Sequence, residues 1–201
     1  MNTKEIQDLM NAVIEFGKKG WLAATSGNFS KKISENKICI TVSGSDKSAI
    51  TENDFMEIDS SGKVLTSGKA SAETLLHLTI YKNIKDAGCV MHVHSVYATV
   101  LSKLFATHGI LTVNDYEMLK AFGGIDSHFV TYHIPIFSNS QDMQALSARL
   151  EQTLLENKNY CGFLLSGHGL YSWGPDVKTT KRYVEAFEFI FECEYRRLML
   201  L

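Results

Sequence analysis

The chain has 201 residues, of which 45% are hydrophobic and 21% charged, an ordinary balance for a globular protein with enough apolar surface to offset chain entropy, which excludes a disordered tail. Its 20 Lys and Arg against 22 Asp and Glu leave a formal net charge of −2, so there is no global basic excess with which to grip nucleic acid. No apolar run approaches the roughly 18 residues of a membrane span, and the start Met1-Asn2-Thr3-Lys4-Glu5 lacks the apolar core of a signal peptide; the expectation is a cytoplasmic protein with neither nucleic acid nor membrane as partner.

Ile6, Leu9, Met10, Val13 and Ile14 predict a helix over Thr3 to Phe16, closed by Gly17 and Gly20. Asn28 to Ile33 and Lys37 to Val42 read as two strands joined by the polar Ser34-Glu35-Asn36 turn. Phe55 to Ile58 and Lys63 to Leu65, around Ser60-Ser61-Gly62, read as a second hairpin. Ser71 is a natural N-cap for a helix over Ala72 to Asp86, with Leu76, Ile80 and Ile84 as its buried stripe and Gly88 as its stop. Cys89 to His94 reads as a strand, and Ser95 caps a helix to about Leu104.

Asn114-Asp115 opens a short helix that contains Glu117, Ile134 to Phe137 is a strand, and Ser140 and Asp142 start a helix to about Asn157. Cys161 to Leu165 is a short apolar strand running into Gly167-His168-Gly169, and Gly174-Pro175 starts the last helix. There Val177, Val184, Phe191 and Leu198 recur every seven residues, as core or as subunit interface. With no repeat and no linker, the chain reads as one domain over residues 1–201. Hairpins followed by alternating helices and strands predict an α/β class of the three-layer kind, with helices over a mixed sheet. Cys39, Cys89, Cys161 and Cys193 are widely spaced and read as reduced thiols, Cys89 and Cys161 as core.

Three histidines sit where a metal can use them. On a strand, His92-Val93-His94 projects both imidazoles from one face. Such a pair also occurs on solvent-facing strands. His168, 74 residues beyond His94 and between two glycines, completes a three-nitrogen face that leaves positions open for substrate; the plain alternative is a glycine turn. Three imidazoles suit Zn2+ best without excluding iron, manganese, cobalt or nickel. His77, four residues after Glu73, reads as half of a surface pair, and His108, His128 and His133 as solvated loop residues.

Ser26-Gly27-Asn28, Ser43-Gly44-Ser45 and Ser71-Ala72 each place hydroxyl or amide groups beside exposed backbone, with Ser71 at a helix N-terminus that favours anions. Together they suit a phosphate; singly, each is an ordinary turn. Lys47 can add charge, although a solvated lysine is the ordinary expectation. There is no Gly-x-Gly-x-x-Gly and no Walker-type loop, so nucleotide cofactors have no support.

Ser26-Gly27-Asn28-Phe29-Ser30, Val42-Ser43-Gly44, Ser71-Ala72-Glu73, His92-Val93-His94 and Gly167-His168-Gly169, in that order and spacing, resemble the class II aldolase/adducin family over about residues 5 to 195. The resemblance implies an α/β/α fold and one divalent metal ion per subunit, on His92, His94 and His168. It implies a phosphorylated sugar held by the Gly27-Asn28, Ser43-Gly44 and Ser71 segments, and a ring-shaped homotetramer with active sites at subunit boundaries. Adducin-type members are structural and lack the metal histidines. All three are present here, which favours an enzyme over a non-catalytic interaction module.

Two enzymatic branches compete within the resemblance. Sugar-phosphate aldolases of the fuculose and ribulose phosphate type use the glutamate after the serine segment, here Glu73. The dehydratases of methionine salvage, which act on a methylthio-ribulose phosphate, use a later glutamate in a stretch that Glu117-Met118-Leu119-Lys120 matches, 23 residues after His94. Ala72 replaces the second serine of typical aldolases, and the runs Ala24 to Asn28 and Ser71 to His77 look like the bacterial dehydratases, although Ala70 stands where many of those have proline. The resemblance therefore implies a metal-dependent lyase with Glu117 moving protons. From the residues alone, Glu117 reads first as a surface carboxylate paired with Lys120 or Lys103. Glu73, in the first turn of its helix, is expected in its charged form.

Overall fold

The computed structural model describes residues 3–200, without the side chains of Thr3 and Ser48; Met1, Asn2 and Leu201 lie outside the described residues, so the first two positions of the polar start are among those not described. In chain order the elements are α1 (Thr3–Lys18), β1 (Asn28–Ser34), β2 (Lys37–Thr41), β3 (Phe55–Ile58), α2 (Thr74–Asn83), β4 (Cys89–Val93), α3 (Val96–Leu104), β5 (Ile110–Asn114), β6 (Thr131–Phe137), α4 (Met143–Glu156), β7 (Gly162–Leu165), β8 (Gly169–Gly174) and α5 (Val177–Met199). The strands form one mixed sheet in the order β3-β2-β1-β4-β8-β7-β6-β5. Every neighbouring pair is antiparallel except β6 with β7. This is the expected α/β class with five α-helices among the described residues. No helix of the described chain is long and apolar enough to cross a membrane.

Strand alternation divides the apolar residues between two cores. On one face, Cys89, Met91 and Val93 of β4 pack with Val13 and Phe16 of α1, Leu101 of α3 and Val184 and Phe187 of α5. On the other, Val90 of β4 and Tyr171 and Trp173 of β8 pack with Leu76 and Ile80 of α2 and Leu150 and Leu154 of α4. Three of the four positions in the seven-residue stripe of α5 are core, Val177, Val184 and Phe191 being buried, and Leu198 is half-buried against the same core. Ser95, Asp142 and Asp176 cap α3, α4 and α5, each side chain accepting from the backbone N–H three residues on.

The structure departs from the sequence expectations at several ends. Helix α2 starts at Thr74, because Ser71 instead closes a turn, its Oγ accepting from Glu73 N–H at 3.2 Å. Of Lys63 to Leu65, only Val64 bridges back to Ile58. Pro175 stands one residue before the α5 cap. Asn114 ends a strand rather than opening a helix, Asp115 is left-handed at φ 61°, and Glu117 starts a single 3-10 turn to Ala121. Strands β5 and β8 carry no element in the sequence reading. Strand β5 is a short edge strand; β8 is buried along its whole length and begins and ends in glycine, so its pattern does not alternate.

Gly169 explains how β8 seats against β4. A methyl group there would lie inside the van der Waals envelope of the Val93 carbonyl oxygen and 3.2 Å from His92 Cε1. Gly169→Ala is expected to cost about 1–3 kcal/mol of stability and to displace His92; denaturant titration that finds parental stability would show the approach to be loose.

Glu188 of α5 is buried with neither carboxyl oxygen bonded among the described residues. Burial pushes its carboxyl from 4.5 up to about 8, tempered by the Ser95 hydroxyl, which lies near without reaching bonding geometry. Below about pH 4.5 folded and unfolded chains both hold this proton. Between there and about pH 8 only the folded chain keeps it, so stability falls as pH rises. The stability advantage of Glu188→Gln over the parent should therefore widen across that window; parallel curves would mean that the carboxyl is already ionised in the fold.

Candidate active site

Antiparallel pairing of β4 with β8 sets His92 opposite Tyr171 and Val93 opposite Leu170. His94, just past the end of β4, is held by its N–H donating to the Trp21 carbonyl at 2.8 Å. His168 sits in the tight turn from β7 to β8, where Gly167 takes φ +66° and Leu165 pairs with Gly169. The end of one strand and the start of its neighbour thus bring the three imidazoles together on the α2 side of the sheet.

Their Nε2 atoms stand 2.8 Å apart between His92 and His94, 3.1 Å between His94 and His168, and 3.3 Å between His92 and His168. Three nitrogens on a tetrahedral ion at about 2.0–2.1 Å stand about 3.4 Å apart, so the spacing suits one small cation. His92 Nδ1–H donates to the Leu170 carbonyl at 2.9 Å; a carbonyl only accepts, so Nε2 keeps its lone pair for the centre. Burial, and for His92 and His94 the charge of neighbouring imidazoles, hold all three rings below their ordinary value, His94 down to about 4. They are neutral and available as ligands near pH 7. The three rings can hold a divalent metal.

Around them lies a group of residues from distant parts of the chain. Tyr171 stacks on His92 at 3.9 Å between ring centroids and an interplanar angle of 12°. Glu73, at the N-cap position of α2, places Oε1 3.2 Å from His168 Nε2 and 3.8 Å from His92 Nε2. Burial works against the charged form that the helix end favours and raises the Glu73 carboxyl, with the nearby Tyr171 hydroxyl acting the other way. Behind Tyr171, His77 is fully buried rather than on the surface, with its Nδ1 2.7 Å from Ser30 Oγ and its protonation suppressed to about 3 by burial. His108 and His133 are exposed as expected; His128 is half-buried against Phe129.

The polar segments singled out in the sequence do meet. Gly27, Asn28, Ser43, Gly44 and Ser71 line one cavity of about 140 Å3, together with Glu73 and His94. Gly27 is at φ +90°, and a side chain there would strike Leu22 and the His92 carbonyl. Ala24 and Thr25, just before it, are non-glycine residues at φ 52° and 64°, strain of about 1–3 kcal/mol each that a fold keeps where it serves a site. Lys47, expected to be solvated, is instead buried and lines this cavity. Glu117 is the predicted residue that the fold does not bring to the histidines: its side chain is 71% exposed and pairs with Lys120 at 2.8 Å and His128 at 3.4 Å. Sequence reasoning missed Tyr171 and the burial of Lys47. The only trace of Tyr171 was its place three residues after His168 in the aromatic stretch Tyr171-Ser172-Trp173.

His92→Ala should lose the bound ion, about one per chain in the parent, while folding is retained; full metal content in this variant, read by atomic absorption, would remove the triad as the site.

Comparison with known proteins gives a concordant picture. The family described as Class II Aldolase and Adducin N-terminal domain matches residues 7–195. The chain is 43% identical over 189 residues to a methylthioribulose-1-phosphate dehydratase of Stenotrophomonas maltophilia (strain K279a), covering 94% of this chain and 88% of that one. It is 42% identical over 193 residues to a protein of the same name from Xylella fastidiosa (strain 9a5c), covering 96% and 88%. Among solved structures, an L-fuculose 1-phosphate aldolase superposes with a TM-score of 0.77 at 21% identity, covering 98% of this chain and 89% of that one, a likeness of fold.

Proposed function

The chain belongs to the class II aldolase and adducin family, and on that premise we propose that it is a metal-dependent hydro-lyase that dehydrates 5-methylthioribulose 1-phosphate to 2,3-diketo-5-methylthiopentyl 1-phosphate in methionine salvage. The observation that carries the proposal is the convergence of three neutral imidazoles within 3.3 Å of one another, beside a carboxyl and a cavity lined with hydroxyls and left-handed glycines. The names of the two relatives at 42–43% identity support the dehydratase branch.

His92, His94 and His168 would hold the ion, zinc being the best match to three nitrogens. When bound, it supplies Lewis acidity to the ketone and hydroxyl oxygens of the sugar. The reaction removes the proton from C3, next to the C2 ketone. The enediolate then expels the C4 hydroxyl as water, and the resulting enol becomes the diketone. Gly27, Asn28, Ser43, Gly44 and Ser71 hold the phosphate through neutral donors, in the cavity that His94 and Glu73 also line.

Glu117 carries the proton transfers. Its exposure, beside Met118 and the strongly exposed Phe129, supports its delivery across a subunit boundary in a homotetramer. Glu73, inside the site, orients substrate oxygens beside His168. A second reading, sugar-phosphate aldolase of the fuculose or ribulose type, draws on that same 3.2 Å approach of Glu73 to His168 and would make Glu73 the catalytic base. A non-catalytic adducin-like module has no use for three desolvated imidazoles. The four widely spaced cysteines support a reducing, cytoplasmic setting, and the whole of residues 1–201 acts as one domain.

Zinc-loaded protein should consume 5-methylthioribulose 1-phosphate with release of the diketone and leave dihydroxyacetone phosphate with aldehydes untouched; the reverse preference establishes the aldolase. Glu117→Gln should lower turnover about 10²–10⁴-fold with metal content unchanged, whereas near-parental turnover would shift the acid–base role to Glu73.

A further inference from the structure

Lysine is almost never fully buried unless paired, yet Lys47 is 2% exposed. It opens the short 3-10 turn Lys47–Ala49 that follows the Ser43-Gly44 bend. Ser45 tightens that bend, its Oγ donating to the Val42 carbonyl at 3.0 Å, and the Lys47 ammonium donates to the Ser45 carbonyl at 3.0 Å. Among the described residues this is its one hydrogen-bond acceptor, while an ammonium carries three donors. Its side chain lines the same cavity as Gly27, Asn28, Ser43 and Ser71. Ser26 lines that cavity too, and its buried hydroxyl has no partner among the described residues.

The charges around Lys47 point the same way. Burial works against its protonation, and Asp54 and Asp46 oppose that effect through space. The Asp54 carboxylate is already engaged, its Oδ2 accepting from Thr51 N–H and Oγ1–H at 2.8 Å. The cavity also holds the Glu73 carboxyl, an unfavourable neighbour for an anion. Neutral hydroxyls and N–H groups give a phosphate hydrogen bonds but no countercharge.

We propose that Lys47 is the cation of the phosphate subsite and sets the preference for a phosphorylated over a non-phosphorylated substrate. This rests on the phosphate reading of the cavity given under the proposed function. Inside the fold a lysine with spare donors is a standing cost; a dianion arriving among the neutral donors converts that cost into charge-assisted hydrogen bonds.

The test is calorimetric titration of inorganic phosphate into zinc-loaded parent, Lys47→Met, Lys47→Gln and Ser43→Ala, with thermal melts of each. Lys47→Met and Lys47→Gln should bind phosphate on the order of 10–100-fold more weakly, raise KM for the sugar phosphate by a similar factor, and melt no lower than the parent. Parental phosphate affinity in both variants, with weakened binding in Ser43→Ala, overturns the role of Lys47 and leaves the subsite standing. Variants that bind phosphate normally but melt lower, or that fail to fold, make Lys47 a structural residue and also overturn it. A parent that takes up no phosphate overturns the subsite itself.

Discussion

The site depends on the close antiparallel pairing of β4 with β8. Gly169 lets the second strand come against the Val93 carbonyl, and the register sets His92 opposite Tyr171. Because the strands run in opposite directions, the end of one meets the start of the other. His94 and the His168 turn therefore lie side by side although 74 residues separate them. A slip of one residue would send every side chain of β4 to the other face and scatter the nitrogens between the two cores.

Around that junction the fold accepts local costs. Three imidazoles are desolvated, two non-glycine residues lie in the left-handed region, a lysine is buried beside a cavity, and a largely buried carboxyl sits against His168. Each is unfavourable alone, and all lie within or next to one end of the sheet. The two apolar cores on either side hold the backbone against this strain. Burial also readies the groups for chemistry: neutral rings are available as ligands.

Much of this was legible in the chain order. Alternation around His92-Val93-His94, the glycines about His168, the Ser-Gly pairs and the caps at Ser95 and Asp142 each signal a local geometry, and those geometries are present. Where the reading failed, the local pattern was ambiguous. Strand β8 is buried along its whole length and starts and ends in glycine, so it shows neither helical nor alternating periodicity. His77 and Lys47 look like surface residues because polar side chains usually are; their burial comes from what α2 and the Ser43 bend pack against.

The sequence by itself determined the chemistry available: three histidines with a shared strand face, two candidate glutamates and a set of hydroxyl and glycine segments suited to an anion. Only the tertiary structure decided which of these meet. It seated Glu73 beside the imidazoles, left Glu117 on the surface with Lys120, and turned Lys47 inward. The reason is that side-chain type and spacing govern contacts within one helix or strand, whereas contacts between strands far apart in the chain are set by sheet order and register, to which no single segment holds the key.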